Sequence, residues 1–164
     1  EILASVESGR YDACKMPRKS YFIGKWMKNC GWYPDYQLRL ARKSKARFPQ
    51  RLVHETLCVD GEIGTLKGSL IHFTHQSIAE SVGKMVSYSK YSAQQRFNEG
   101  GRFRISDIII SPAVMFFKMY ILKQGFRDGV RGLIISVFSA CSSFIKYAAL
   151  WELTQSERAE KRNN

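Results

Sequence analysis

The 164-residue sequence predicts an α/β chain in which strands come first and helices follow. Between residues 11 and 77, short runs rich in β-branched and aromatic residues are separated by turn-forming residues, which is typical of strands. The period then changes, and apolar residues recur at the three-and-four spacing of an amphipathic helix, at Ile78, Val82, Met85 and Val86. We therefore divide the chain into a strand-rich part, residues 1–77, and a helical part, residues 78–164.

The strand-rich part begins with a helical stretch, residues 1–10, that Gly9 ends. Two strands, 11–15 and 20–26, are predicted on either side of a turn at Pro17. Further strands are predicted at 36–41, 51–57 and 64–73. Tight turns are predicted at Asn29-Cys30-Gly31 and at Asp60-Gly61, because these residue types favour turn conformations.

Three helices are predicted in the remainder of the chain. The first runs from residue 78 to about 98 and ends before Gly100-Gly101. The second begins at Ser111 as N-cap and Pro112 as first helical residue and runs to about 123. The third spans about 133–158 and, like the second, is apolar on more than one face. Such helices either form the core of a helical subdomain or lie in a bilayer interface with lysines extended toward phosphates.

The chain is strongly basic, with 26 Lys and Arg against 14 Asp and Glu, a formal net charge of +12. The excess is concentrated in residues 1–52, where 12 basic and 4 acidic residues give +8. A basic surface attracts phosphate in nucleic acids, anionic lipids or nucleotide sugars. Aromatic residues lie among the basic ones, but no nucleic-acid-binding motif is present, so nucleic acid is the least favoured of these partners.

The cysteine pattern and the hydropathy exclude other classes. Four cysteines without CxxC spacing argue against a zinc knuckle or a disulfide scaffold and favour reduced thiols. The longest uncharged apolar stretch, residues 133–145, has 13 residues. A membrane-spanning helix needs about 20, so by this criterion we expect no spanning helix.

Few residues are candidates for catalysis or metal binding. Glu55, after His54 in a strand-like segment, could accept a proton from an attacking hydroxyl, although a surface ion pair is the simpler interpretation. His72 and His75 could ligate a divalent metal through imidazole nitrogens or could have a structural role. The sequence has no GxGxxG, Walker loop, nucleophile elbow, HExxH or DxD pattern.

Five segments are informative when taken in order: residues 31–32 (GW), 36–40 (YQLRL), 53–55 (VHE), 70–77 (LIHFTHQS) and 116–129 (FFKMYILKQGFRDG). This series resembles the C-terminal portion of a family 2 glycosyltransferase of the bacterial lipopolysaccharide-core glucosyltransferase type. The resemblance covers nearly the whole chain, and its most specific parts are His-Glu and the segment 125–129. It implies the acceptor-side part of a GT-A-type (nucleotide-diphospho-sugar transferase) α/β core over residues 1–77, followed by C-terminal helices.

The resemblance also implies site residues. Glu55 would be the catalytic base that deprotonates the acceptor hydroxyl, with inversion at the sugar carbon. His72 would belong to a divalent metal (Mg or Mn) or diphosphate site. Gly31 and Trp32 would form a glycine–aromatic turn near the acceptor, with Arg39 near the binding pocket. The donor would be a UDP-sugar, most simply UDP-glucose, and the acceptor a lipopolysaccharide-core sugar or related glycolipid.

Relative to that family, the chain begins about where the acidic DxD motif would have finished. We therefore expect the uridine-binding half and the metal-binding aspartates to be missing, and these 164 residues alone to be inactive. The family resemblance implies a peripheral location at the cytoplasmic face of the bacterial inner membrane. The alternative hypothesis is a non-catalytic basic module that binds an anionic membrane surface through residues 112–150.

Overall fold

A computed structural model describes residues 1–48 and 57–163. The chain divides into two units, Glu1–Thr74 and His75–Asn164. The first is a mixed sheet with one short helix, and the second is helical. The α/β class with C-terminal helices is therefore confirmed. Most of the predicted strand 51–57 lies outside the described residues.

The first unit is built around one long central strand, β1. Helix α1 precedes it and ends, as predicted, at Gly9, which adopts a left-handed conformation. β1 pairs antiparallel with β2 and β3, parallel with β6, and also with β7, whereas β4 and β5 form a separate two-stranded ladder. The bounds of these elements are α1 Ile2–Ser8, β1 Ala13–Phe22, β2 Lys25–Trp26, β3 Asp35–Ala41, β4 Ala46–Arg47, β5 Cys58–Val59, β6 Ile63–Thr65 and β7 Leu70–His75.

One core cluster of this unit lies on one face of β1. Cys14 and Met16, two residues apart and therefore on the same side of the strand, are buried together with Leu66. Three partly buried residues pack against them: Tyr11, Leu40 and Leu70.

Two strand predictions are wrong in detail. Pro17 does not end a strand, because β1 continues through it and pairs Pro17 with Tyr36. The proline ring costs one ladder hydrogen bond but holds φ near a value that an extended strand tolerates. The chain instead reverses at Ile23 and Gly24, which both have positive φ. The predicted strand 64–73 is two strands, β6 and β7, separated at residues 66–69.

The second unit consists of helical segments. They are α2 Ile78–Asn98, α3 Ile105–Phe117, a π-helical turn Lys118–Leu122, a 3-10 turn Gly125–Asp128 and α4 Val130–Asn163. The predicted start of α2 is confirmed: the Ser77 hydroxyl accepts a hydrogen bond from the Glu80 backbone N–H at 3.1 Å. Helix α4 begins three residues before its predicted start and ends five residues beyond its predicted end.

Helix α3 does not begin at Ser111. It begins at Ile105, with Arg104 as N-cap and Pro112 inside the helix. Helix α3 packs against α4, and this tertiary support offsets the backbone hydrogen bond that Pro112 cannot donate.

The expectation of no helix long enough to cross a membrane also needs correction. Two helical stretches, Ile105–Leu122 and Val130–Arg162, are long and apolar enough to do so by length and composition. The uncharged-stretch criterion was too strict, because the first of these stretches contains Asp107 and Lys118 and still passes.

Candidate functional site

Arg39 lies at a β-bulge. Strand β3 pairs Leu40 with Cys14 and Leu38 with the next residue of β1, Lys15, so Arg39 is the extra residue between two register pairs. Bulges redirect side chains and are frequent beside active sites. Arg39 is exposed, and its guanidinium makes no hydrogen bond or ion pair with the part of the chain that the structure describes. The geometry leaves this cation available to an anionic ligand.

The start of β3 is held by an ion pair. Asp35 accepts a hydrogen bond from Arg18 Nε at 2.9 Å, and its other carboxylate oxygen accepts one from Gln37 Nε2 at 2.8 Å. The Arg18 and Asp35 side chains are each 29% exposed, so solvent screening is incomplete. This pair fixes the register of the strand that carries Arg39.

The predicted turn before β3 is confirmed. The Trp32 backbone N–H donates to the Asn29 carbonyl at 3.0 Å, and both central residues, Cys30 and Gly31, have positive φ. This combination is typical of a type I′ turn, in which glycine removes the steric cost. The turn sets the half-buried Trp32 ring edge-on to Phe22, with 6.0 Å between ring centroids. Gly31 therefore acts through backbone conformation, and Trp32 supplies the aromatic surface.

A second aromatic group lies on β2, around Trp26, which the sequence analysis did not assign to the site. The Lys19 and Lys28 ammonium groups lie 4.9 and 4.8 Å from the centroid of the Trp26 ring, and Tyr33 packs edge-on at 5.1 Å. The buried Trp26 indole N–H has no acceptor within residues 1–48 and 57–163. Two ammonium groups on one indole form a cationic, aromatic surface that favours an anionic ligand. The only sequence signal was the alternation of lysine and aromatic residues.

His72 lies on β7. Its Nδ1 is 2.9 Å from the Thr74 hydroxyl, a contact that orients the imidazole ring. The next residue, Phe73, packs on Tyr21 of β1 with ring centroids 5.3 Å apart. In the described ranges no group of three or more His, Cys, Asp or Glu could hold a metal ion. These residues therefore do not fit a resident divalent metal on their own, and His72 would contribute one ligand at most.

The structure places Arg39 and His72 on two strands that both pair with β1, and Gly31 and Trp32 on the turn that leads into β3. Glu55 and its neighbour His54 lie outside the described residues.

The segment 125–129, the most specific part of the resemblance, forms a tight turn ahead of α4. Gly125 and Asp128 are buried, and Gly129 has φ +65°. A Cβ on Gly132 would lie 1.8 Å from the Gly125 carbonyl oxygen. The backbone at Gly125 is therefore in close contact with Gly132 of α4, whereas Gly129 supplies the positive φ of the turn.

In the helical unit, small and polar residues are buried and many large apolar residues are exposed. Most of its buried residues are small or polar, including Ser81, Ser89, Ala93, Gly132 and Ser136. Large apolar residues are exposed instead, and we call this set the apolar face: Ile105, Ile109, Ile110, Val114, Phe117, Ile121, Leu122, Phe126, Val130, Leu133 and Val137. Small residues between helices and large apolar ones outside are typical of helices in contact with lipid.

Basic residues accompany the apolar face: Lys118, Lys123, Arg127 and Arg131. Many exposed large apolar residues in one unit are typical of an interaction site, and basic residues interspersed with them in the sequence favour an anionic partner.

The strand-rich unit is basic and carries an aromatic turn and a bulged arginine, features that favour an anionic ligand, and the comparisons with known proteins point to one class of protein. The chain is 29% identical over 159 residues to the lipopolysaccharide core biosynthesis glycosyltransferase LpsC of Rhizobium meliloti (strain 1021), covering 93% of this chain and 56% of LpsC. It is 28% identical over 98 residues to an uncharacterized glycosyltransferase of Rickettsia typhi (strain ATCC VR-144 / Wilmington), covering 60% of this chain and 34% of that protein. No known family profile and no solved structure matches the chain.

Both relatives are named as glycosyltransferases, and this supports a relationship of the chain to glycosyltransferases. The chain spans about half the length of LpsC and about a third of the second relative.

Proposed function

We propose that this chain is the acceptor-side part of an inverting glycosyltransferase with a GT-A-type fold, of family 2. It would act in moving a hexose, most simply glucose, from a UDP-sugar to a lipopolysaccharide-core or related glycan. The observation that carries the proposal is the similarity to LpsC over 93% of the chain. The exposed Arg39 at a bulge and the lysine-flanked Trp26 support it, since a nucleotide diphosphate needs cations and a sugar stacks on aromatic rings.

In the proposed reaction Glu55 accepts the proton of the acceptor hydroxyl. The hydroxyl oxygen forms a bond to the anomeric carbon while the bond from that carbon to the diphosphate oxygen breaks. UDP leaves with the electron pair, and the configuration at the sugar carbon inverts. Arg39 stabilises the negative charge that develops on the diphosphate, because a guanidinium binds phosphate oxygens through two parallel hydrogen bonds.

The other site residues would position the substrates. Trp32, held by the Gly31 turn, would contact the acceptor, and His72 would contact the diphosphate or contribute one ligand to a divalent metal. When bound, such a metal (Mg or Mn) would neutralise diphosphate charge. The remaining metal ligands would come from outside the described residues.

The test is UDP release by the full-length polypeptide that contains this chain, with UDP-glucose, a lipopolysaccharide-core acceptor and Mg²⁺ or Mn²⁺. Loss of a general base costs on the order of 10²–10⁴-fold in rate, so Glu55→Gln should lower kcat by at least about 10²-fold. The matched control is Glu62→Gln, the same change at an exposed glutamate of the same unit, which should stay within about twofold of the unsubstituted protein. Equal rates in all three proteins would remove Glu55 from the mechanism, and no release with any UDP-sugar would overturn the function.

We further propose that the 164 residues alone do not turn over, because they carry no DxD pattern. Release of UDP by the 164-residue chain, purified alone and assayed in the same way, would contradict this.

A second proposal concerns location: the apolar face binds an anionic membrane surface, as a peripheral attachment at the cytoplasmic face of the inner membrane. It is supported by exposed side chains such as Ile105 and Ile109, which are 71% and 68% exposed, and by the four basic residues beside the face. As a stand-alone function, this is the alternative to catalysis.

Co-sedimentation with vesicles separates the two functions. Charge reversal at Lys118, Lys123, Arg127 and Arg131 should release the protein from phosphatidylglycerol vesicles, since each basic residue near an anionic surface contributes about 1 kcal/mol. The Glu55→Gln variant should bind the vesicles as well as the unsubstituted protein does. Vesicle binding that survives the charge reversal would contradict the electrostatic part of the proposal.

A further inference from the structure

The helical unit contains a cleft of about 400 Å³ between α2, α3, the π-helical turn and α4. We call it the serine–lysine cleft. Its lining includes two lysines and six serines but no aspartate or glutamate. A cleft with cations and hydroxyls and without carboxylates has the composition of an anion site.

Three of the serine hydroxyls are committed to other partners. Ser89 donates to the Met85 carbonyl at 2.7 Å, so the 2.8 Å contact between Ser89 and Ser142 requires Ser142 to donate its proton to Ser89. Ser139 donates to the Ile135 carbonyl at 2.8 Å. These hydroxyl protons are not available to a ligand.

The other three serines differ. The hydroxyls of Ser92, Ser111 and Ser143, all half-buried, make no hydrogen bond with any residue in the ranges 1–48 and 57–163. They come from α2, α3 and α4 in turn and line the same cleft. Three hydroxyl donors from three helices can therefore be offered to one ligand.

Two lysines supply the positive charge of the cleft. Lys118 is the first residue of the π-helical turn, a type of irregularity that is frequent at functional sites. Lys146 is half-buried, with its ammonium nitrogen 5.4 Å from the centroid of the Tyr147 ring. Neither lysine forms an ion pair with an acidic residue of the described part of the chain. Their combined charge of +2 matches the −1.5 to −2 that a phosphomonoester carries at about pH 7.

Part of the lining is apolar. Ile110 and Val114 line the cleft, are each 57% exposed, and belong to the apolar face. A lining that combines cationic, hydroxyl and exposed apolar side chains suits a ligand with a phosphate head and an apolar body.

We propose that the serine–lysine cleft binds the phosphate group of a phosphorylated lipid, with Lys118 and Lys146 as its cations and Ser92, Ser111 and Ser143 as its hydroxyl donors. The inference builds on the proposed contact of the apolar face with a membrane. It goes further by assigning a specific site for one head group. A lipid held there would be positioned as acceptor or as anchor.

The test uses a water-soluble lipid, so that it does not depend on membrane binding. Isothermal titration of the 164-residue chain with monomeric dihexanoyl phosphatidic acid is compared with dihexanoyl phosphatidylcholine and with inorganic phosphate. Phosphatidic acid should bind tightest. Lys118→Gln and Lys146→Gln should each weaken its binding about tenfold, which corresponds to one charge-assisted hydrogen bond. The matched control is Lys90→Gln, the same change at an exposed lysine of α2 that does not line the cleft, which should stay within about twofold of the unsubstituted chain.

A charge-conserving variant distinguishes loss of the lysine's charge from loss of folding. Lys146→Arg preserves the charge and should retain most of the affinity, and circular dichroism checks that each variant is helical. An equal loss of affinity for phosphatidic acid in all three glutamine variants would indicate nonspecific electrostatic attraction and would contradict a binding site in the cleft. Inorganic phosphate binding as tightly as phosphatidic acid would overturn the lipid part. Vesicle binding without any binding of monomeric phosphatidic acid would reject the cleft and leave the membrane proposal standing.

Discussion

Replacing Gly132 by alanine tests whether the turn 125–129 has a packing role. The added Cβ would lie 1.8 Å from the Gly125 carbonyl oxygen and 2.7 Å from its carbon. Ordinary van der Waals contact of a Cβ begins near 3.4 Å, so the backbone on one side must move by more than 1 Å. Overpacking of this kind costs about 1–3 kcal/mol, and the contacting atoms are backbone, which cannot rotate away. We expect Gly132→Ala to lower the free energy of unfolding by at least 2 kcal/mol, at the upper part of that range.

The chain offers a matched control in Gly83, which also lies in a helix. A Cβ there would meet nothing within 4 Å, so alanine should stabilise α2 by about 0.5–1 kcal/mol through propensity alone. Urea unfolding followed by circular dichroism at 222 nm gives both values under one condition, with the slope checked for two-state behaviour. The two variants should therefore shift the midpoint in opposite directions. Equal shifts, or a stabilised Gly132→Ala, would refute the reasoning from close backbone contact.

Three further predictions concern other parts of the chain. Ile23→Asn should raise the free energy of unfolding by about 1 kcal/mol in the same urea experiment, because a β-branched residue is strained at φ 45°; an unchanged midpoint would count against strain. Hydrogen bonds from the Lys84 ammonium and the Gln76 N–H lower the pKa of Glu80, so its stabilising effect is present above the ordinary glutamate pKa and is lost as the pH falls through the lowered value. Between roughly pH 5 and pH 3 the unfolding midpoint should therefore fall more steeply for the unsubstituted chain than for Glu80→Gln, and parallel curves would disprove the linkage. In the UDP-release assay Arg39→Lys should lower kcat/KM for the UDP-sugar about tenfold, with a fall in kcat, since one hydrogen bond to the developing diphosphate charge is lost; an unchanged kcat/KM would place Arg39 outside the donor site.

Local sequence patterns determined much of the fold. Gly9 ends α1, and Ser77 caps α2 through its own hydroxyl. The turn at residues 29–31 forms as its Asn and Gly predict, with Gly31 at a positive φ that glycine adopts without strain. These features depend on contacts within a few residues, so the sequence contains the information they need. The net charge is a sum over residue types, and the order of strands before helices follows from local hydrophobic patterns, so the sequence determines both.

Other features were decided by tertiary structure. Pro17 lies within β1 because a neighbouring strand pairs with it, and Pro112 lies within α3 because α4 packs against that helix. The bulge at Arg39 depends on the register of two strands, which no local pattern fixes. The sequence could nominate Arg39 and His72 by resemblance, but it could not place them on strands flanking β1.

The serine–lysine cleft is a further feature that depends on tertiary structure. The sequence displays its lysines and serines as scattered residues of three helices, and nothing in their spacing predicts one cleft. Folding brings Ser92, Ser111 and Ser143 to a common cavity, because helix packing joins residues tens of positions apart. The sequence by itself determined which chemical groups are available, and only the tertiary structure decided which of them meet, since distances between segments depend on packing across the whole unit.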